Sequence, residues 1–176
     1  SSINCLKKLG IKISLRKKNC YIYGKGLNGF EYKKNIILNA GNSGTFARLI
    51  LGLLVKSPYY IKLLGDKSLS QRDFERVISP LQKVGANFKV NNKKTLPLKM
   101  IGSSFVNPIN YFENRGSAQC KSTVMLAALN SPGQTLIRAK KSRDHTENIF
   151  KYLGIPIIVK RYKHNDEIKV KGQKSF

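Results

Sequence analysis

The sequence predicts an α/β (α+β) fold made of repeated βαβαββ units, two of them complete and preceded by the end of a third. Three observations predict it. Apolar helix ends closed by glycine recur as Leu6-Lys7-Lys8-Leu9-Gly10, Leu81-Gln82-Lys83-Val84-Gly85 and Phe150-Lys151-Tyr152-Leu153-Gly154, and glycine there suits a left-handed C-cap. Each glycine leads into a short alternating stretch, at 11–15, 87–90 and 155–160, the pattern of a half-buried strand. Between the markers the order of elements repeats, with Ser57-Pro58 and Ser131-Pro132 at the same helix-to-strand turn.

Taken in order, the partial unit covers about 1–30 and closes with the strand at 11–15. The second unit, 31–103, has a strand at 36–38, a helix at 44–55, a strand at 59–64 and a helix at 71–84. It ends in a hairpin of 87–90 and 96–101 around Asn91-Asn92-Lys93-Lys94. The third unit, 104–176, has a strand at 109–112, a helix at 117–129, a strand at 134–139 and a helix at 144–153. Its hairpin uses 155–160 and 167–170. The first unit lacks its opening elements and no initiator Met is present, so we expect an N-terminally truncated single domain over 1–176.

A hydrophobic content of 41% and a charged content of 24% are ordinary for a globular chain. The apolar run at 46–55 is interrupted by Arg48 and falls short of the roughly 20 residues a membrane helix needs. The three cysteines, Cys5, Cys20 and Cys120, and the two histidines, His145 and His164, form no ligand cluster, so neither a metal nor a cofactor is expected. Reduced thiols and the absence of a signal-peptide core suit a cytoplasmic protein. The net charge of +24 invites a basic nucleic-acid-binding module as an alternative. Against it, the lysines are spread along the chain and no nucleic-acid motif accompanies them.

Chemistry is expected where strands hand over to helices. In Asn39-Ala40-Gly41-Asn42-Ser43-Gly44-Thr45-Phe46-Ala47-Arg48, two glycines allow close backbone approach and a helix start favours an anion. The matching start is Arg115-Gly116-Ser117-Ala118-Gln119-Cys120-Lys121-Ser122, with Ser117 a good N-cap and both Gln119 and Lys121 placed to face whatever the cap faces. Two further segments, Ser68-Leu69-Ser70-Gln71-Arg72-Asp73 and Ser142-Arg143-Asp144-His145-Thr146-Glu147, open the second helices. There Asp144 and Glu147 can form a capping box. Most such helix starts are only turns and caps. However, arginine is scarce in this Lys-rich chain, and Arg48, Arg72 and Arg143 all fall in these segments. Arginine forks onto phosphate or carboxylate with paired hydrogen bonds, which lysine cannot do. With nine acidic residues in all, no carboxylate pair or nucleophile–base set stands out, so no catalytic acid, base or nucleophile is assigned within this chain.

These segments resemble the 5-enolpyruvylshikimate-3-phosphate synthase family. Asn39 to Arg48 is similar to L-x-x-G-N-[AS]-G-T-x-x-R, and Gly65-Asp66-Lys67-Ser68-Leu69-Ser70-Gln71-Arg72 to G-D-x-S-L-x-x-R. Ser117 to Ser122 resembles S-A-Q-x-K-S, and Ser142 to Glu147 matches S-R-D-H-T-E. The resemblance implies enolpyruvyl transfer from phosphoenolpyruvate to the 5-hydroxyl of shikimate 3-phosphate with release of phosphate (EC 2.5.1.19). It further implies a two-domain enzyme, of which this chain is most of one domain and the other domain the partner. By motif, Ser117, Ala118, Gln119, Ser142 and Arg143 would contact shikimate 3-phosphate, with Thr45 beside it. Gly44, Arg72 and Gln119 would meet phosphoenolpyruvate, and Asn42 and Arg48 would shape the loop. Room beside Gly44 would make the intact enzyme sensitive to glyphosate. Departures are Asp73 where many members have Pro, Gly116 where Ala or Ser is usual, and His145 where some have Tyr. The related UDP-sugar enolpyruvyl transferase is the enzymatic alternative.

Overall fold

The computed structural model describes residues 1–173, so the last three positions of the expected third unit lie outside the described residues. The partial unit supplies α1 (Ser2–Lys8), β1 (Lys12–Arg16) and β2 (Asn19–Tyr23). The second unit runs β3 (Ile37–Asn39), α2 (Gly44–Leu53), β4 (Ile61–Leu64), α3 (Glu75–Lys83), β5 (Asn87–Lys89) and β6 (Leu98–Ile101). The third runs β7 (Asn110–Glu113), α4 (Ala118–Ala128), β8 (Gln134–Lys140), α5 (His145–Tyr152), β9 (Ile157–Arg161) and β10 (Asn165–Lys171). Both complete units are therefore βαβαββ, as the repeat predicts. The three marker glycines adopt φ of +83° at Gly10, +113° at Gly85 and +68° at Gly154, the left-handed conformation that ends each helix without a Cβ clash.

The sheets of the two units have the same topology. Their strand orders are β3-β4-β6-β5 and β7-β8-β10-β9, with the first pair parallel and the others antiparallel. β1 and β2 form a separate antiparallel ribbon, and β2 is a strand the sequence reading did not separate out. Every residue of β2 is exposed, so it carries no buried alternation to betray it.

One predicted helix is corrected. The expected helix at 71–84 is instead a single 3₁₀ turn (Leu69–Gln71), a break, and α3. Arg72 is extended at φ −82° and ψ 141°, which ends the first turn. Asp73 Oδ1 then accepts from the Glu75 amide at 2.6 Å, and fully buried Phe74 drops into the core ahead of α3. Amphipathic periodicity runs through this break because Leu69, Phe74, Val77 and Ile78 all point inward.

α4 is the central helix. Cys120 through Met125, with Ala127 and Ala128, are buried. Cys120 and Ala127 join the core of the second unit, whereas Val124, Met125 and Ala128 join that of the third. Helix α2 crosses it closely: Thr123 Oγ1 donates to the Arg48 carbonyl at 3.1 Å. This crossing brings the N-terminal turns of α2 and α4 together. No helix among the described residues is long and apolar enough to cross a membrane.

The outer faces of the two sheets differ in charge. Glu167 on β10 is flanked in register by Arg138 on β8 and Lys160 on β9, and the Arg138–Glu167 pair closes to 3.2 Å. In the other sheet Lys99 on β6 is flanked by Lys62 and Lys89. Like charges directly opposite one another on a sheet repel. Lys99→Glu is therefore expected to stabilise the fold by about 0.5–1 kcal/mol at low ionic strength, less as salt screens the row. Urea unfolding at two salt concentrations measures it, and no gain at low salt would refute the repulsion.

Candidate functional site

The loop that starts α2 is built from short polar contacts. The Gly41 amide donates to Asn39 Oδ1 at 2.9 Å, and Ser43 caps α2 by accepting from the Phe46 amide at 3.2 Å. Asn42 Nδ2 donates to Asp66 Oδ2 at 2.6 Å, while Asp66 Oδ1 accepts from the Leu69 amide at 2.8 Å. One carboxylate thus joins the loop carrying Gly44 to the turn carrying Arg72. Those bonds favour its charged form: the Leu69 amide first, then Asn42, hold the Asp66 carboxyl below its ordinary value. Because the folded-state value is depressed, its contribution to stability is present above about pH 3.9 and is lost as pH falls through the folded value. The Leu69 amide proton is expected to titrate with a midpoint below that ordinary aspartate value, and Asp66→Asn to abolish the titration. An NMR pH series checks both, and a midpoint at or above the ordinary value would refute the arrangement.

Arg48 is half-buried on α2. Its Nη1 donates to the Gly44 carbonyl at 3.3 Å and to Gln119 Oε1 at 3.1 Å, and its Nη2 to the Asp73 carbonyl at 3.4 Å. The guanidinium lies 5.0 Å from the Phe74 ring centroid. Burial holds its pKa below the ordinary arginine value, and the neighbouring charges of Arg72 and Arg76 act in the same direction. Gly44 is buried under these arginines: a Cβ there would stand 2.9 Å from Arg48 Nη1 and 3.2 Å from Arg72 Nη1. Arg72 itself is exposed; its charge acts on the Asp66 carboxylate, with no ion pair among the described residues.

Across the gap, Ser117 caps α4 by accepting from the Cys120 amide at 3.3 Å. Gln119 bridges the two helices, accepting from Arg48 and donating from Nε2 to Thr45 Oγ1 at 2.7 Å. Buried Glu113 holds the approach to α4 by accepting from the amides of Arg115 at 3.3 Å and Ser117 at 2.8 Å. The sequence reading missed this acid as a loop anchor. Its signal was scarcity: one of nine acids, placed just before Arg115-Gly116-Ser117.

Thr45, Leu49, Ala118, Gln119, Ser122, Arg143, His145 and Thr146 line a cavity of about 140 Å³. The N-terminal turns of α2, α4 and α5 all reach it, and none of its lining residues is acidic. Helix N-termini present unpaired amides and the positive ends of their dipoles, so this wall favours an anion. The Arg143 guanidinium is exposed and has no partner among the described residues. Beside it, the Ser142 hydroxyl is shielded from solvent and makes no hydrogen bond.

Of the residues singled out in the sequence, Thr45, Ala118, Gln119 and Arg143 line this cavity. Ser117 and Ser142 flank it in sequence, and Gly44, Arg48 and Arg72 form an adjoining cationic corner. Two expectations are corrected. Lys121 does not face the surroundings of the cap; it is buried and its Nζ lies 2.5 Å from Glu147 Oε1. Asp144 and Glu147 form no capping box. Asp144 pairs with Arg161 at 2.7 Å, which holds its carboxyl below the ordinary value, and Glu147 is committed to Lys121.

Fold and site define an α/β protein of repeated units in which three helix N-termini and Arg143 line a small anion-favouring cavity, with Arg48 and Arg72 in an adjoining corner. The chain belongs to the EPSP synthase (3-phosphoshikimate 1-carboxyvinyltransferase) family, whose model it matches over residues 1–175. It is similar to the 3-phosphoshikimate 1-carboxyvinyltransferase of Syntrophomonas wolfei, at 41% identity over 90% of this chain and 37% of that protein. It is also similar to the same-named protein of Ruthia magnifica, at 44% identity over 93% of this chain and 37% of that protein. Among solved structures it resembles the EPSP synthase of Acinetobacter baumannii, with a TM-score of 0.86 and 32% identity over 97% of this chain and 38% of that one. The chain thus spans less than two fifths of the length of these relatives.

Proposed function

We propose that this chain is part of one domain of an enzyme that transfers the enolpyruvyl group of phosphoenolpyruvate to the 5-hydroxyl of shikimate 3-phosphate, and that it supplies mainly the shikimate 3-phosphate half-site. The observation that carries this reading is the convergence of three helix N-termini and the exposed Arg143, unpaired among the described residues, on one cavity whose lining has no carboxylate. A phosphate dianion answers all of those groups at once. Ser117, Ala118, Gln119, Ser142 and Arg143 hold shikimate 3-phosphate, with Thr45 beside it. Gly44, Arg72 and Gln119 receive phosphoenolpyruvate, and Arg72 forks onto its anionic groups. Asn42 and Arg48 keep the loop in shape.

These residues bind and orient the two anions so that the 5-hydroxyl meets the enol carbon, the proximity contribution to catalysis. Proton transfer falls to the other domain of the same enzyme, so the isolated chain binds without turning over. The setting is aromatic amino-acid biosynthesis in the cytoplasm. Because a Cβ at position 44 would press on Arg48 and Arg72 and Gly44 has none, the intact enzyme is expected to be inhibited by glyphosate; full activity in glyphosate well above its phosphoenolpyruvate requirement would refute that.

The half-site is tested by titrating shikimate 3-phosphate into isotope-labelled protein and following the backbone amides. Shifts at Ser117, Gln119, Ser142 and Arg143, absent with unphosphorylated shikimate, are expected. Silence at those amides, with broad salt-sensitive shifts on adding a DNA duplex, would replace this reading with that of a basic nucleic-acid-binding module.

A further inference from the structure

Lys121 and Glu147 form the one ion pair among the described residues with both side chains buried, each 1% exposed. A buried pair loses so much hydration that it adds little net stability, and stability alone is a weak reason for it. Its geometry offers a better one. Lys121 Nζ also donates to the main-chain carbonyl of Arg143 at 3.0 Å. With the Ser122–Thr146 hydroxyl contact at 2.6 Å, this bond ties the start of α5 to α4. The Arg143 side chain, by contrast, has no hydrogen bond or ion pair of its own among the described residues.

The second unit contains the same device. There Arg48, one turn into α2, donates to the carbonyl of Asp73, the residue after exposed Arg72. In each unit a cation from the helix that begins at a serine cap reaches across to the main chain beside an exposed arginine. The cations stand four and five residues after their caps, Ser117 to Lys121 and Ser43 to Arg48.

We propose that Lys121, neutralised by Glu147, is a positioning residue for Arg143, fixing the main chain from which its guanidinium meets the anion. This rests on the half-site reading above and deepens it. An apolar side chain at 121 would fill the space but leave the Arg143 carbonyl without its donor. A forked grip on phosphate needs its guanidinium placed to within about 0.5 Å, and a free turn does not supply that.

The test is a double-mutant cycle on shikimate 3-phosphate affinity, measured by calorimetry. Its forms are the wild type, Lys121→Met/Glu147→Gln, Arg143→Lys and all three changes together. The paired variant removes both charges, so none is left buried alone. It is expected to melt cooperatively, and to bind about tenfold more weakly. Arg143→Lys should weaken the wild type roughly tenfold or more but the paired variant less than about threefold, because two changes acting through one contact do not add. Unchanged affinity in the paired variant, or losses that multiply independently, would overturn the proposal.

Should the paired variant fail to fold, Lys121→Met/Glu147→Met, which buries neither a charge nor an amide, is expected to show the same non-additivity, and additivity there would overturn it equally. If the wild type does not bind the ligand, the half-site reading fails. The positioning role is then decided without ligand, by ¹⁵N relaxation at the amides of Arg143 and Asp144. Greater disorder there in the paired variant supports the role, and unchanged relaxation overturns it.

Discussion

Replacing Gly52 with alanine is expected to destabilise the protein by about 2 kcal/mol, although alanine is the better helix former by about 1 kcal/mol. Gly52 sits on α2 where it meets α4, and a Cβ there would lie 2.3 Å from the Thr123 carbonyl oxygen and 3.2 Å from Thr123 Cγ2. The first neighbour is helical main chain, which cannot swing aside as a side-chain tip can. The helices must separate, and the bond from Thr123 Oγ1 to the Arg48 carbonyl stretches from its 3.1 Å. Thermal unfolding should show a Tm lower by roughly 4–8 °C for a chain of this size. The same separation acts on the site, since α2 carries Thr45, α4 carries Gln119, and their contact is 2.7 Å. An unchanged Tm would mean that the helices do not meet at Gly52.

Much of this arrangement was legible because it is written locally. The glycine-closed helix ends at Gly10, Gly85 and Gly154 depend on one backbone conformation each, and that requirement shows in the residue type. The serine caps at Ser43 and Ser117 are legible for the same reason, since the cap bond spans three residues. The break at Arg72 was not legible: buried Leu69, Phe74, Val77 and Ile78 continue the helical period across it, while the extended backbone of Arg72 that ends the first turn leaves no mark in residue type. Lys121 was misread because its partners, Glu147 and the Arg143 carbonyl, lie more than 20 residues away in sequence. A lysine near a helix start looks like an anion ligand until a buried carboxylate is brought onto it. Glu113 was passed over because a single acid that collects two loop amides has no periodic signature. Local geometry therefore picked out the helix starts that meet at the cavity, whereas the buried polar groups that brace them became visible only in three dimensions.

On the proposed half-site reading, Gln119→Glu is expected to leave the fold intact and to weaken shikimate 3-phosphate binding by one to two orders of magnitude. The two side chains have the same shape. Arg48 Nη1, 3.1 Å from Gln119 Oε1, would meet a carboxylate oxygen instead of an amide oxygen, and the Thr45 hydroxyl can turn to donate where it now accepts. Both contacts survive, so urea unfolding should show no loss of stability. The cavity wall, however, gains a negative charge amid three helix N-termini that otherwise favour an anion. At an effective dielectric constant of about 20 and a separation of about 5 Å, two unit charges repel by roughly 3 kcal/mol. Arg48 offsets part of this, which leaves on the order of a 10–100-fold loss of affinity. Glutamate is ionised well above its ordinary pKa of about 4.3, so calorimetry at pH 8 reads the full effect. Raising the salt should narrow the gap between wild type and variant as screening grows. Equal affinities would place the phosphate elsewhere, because no anion bound beside Gln119 can be indifferent to a carboxylate there.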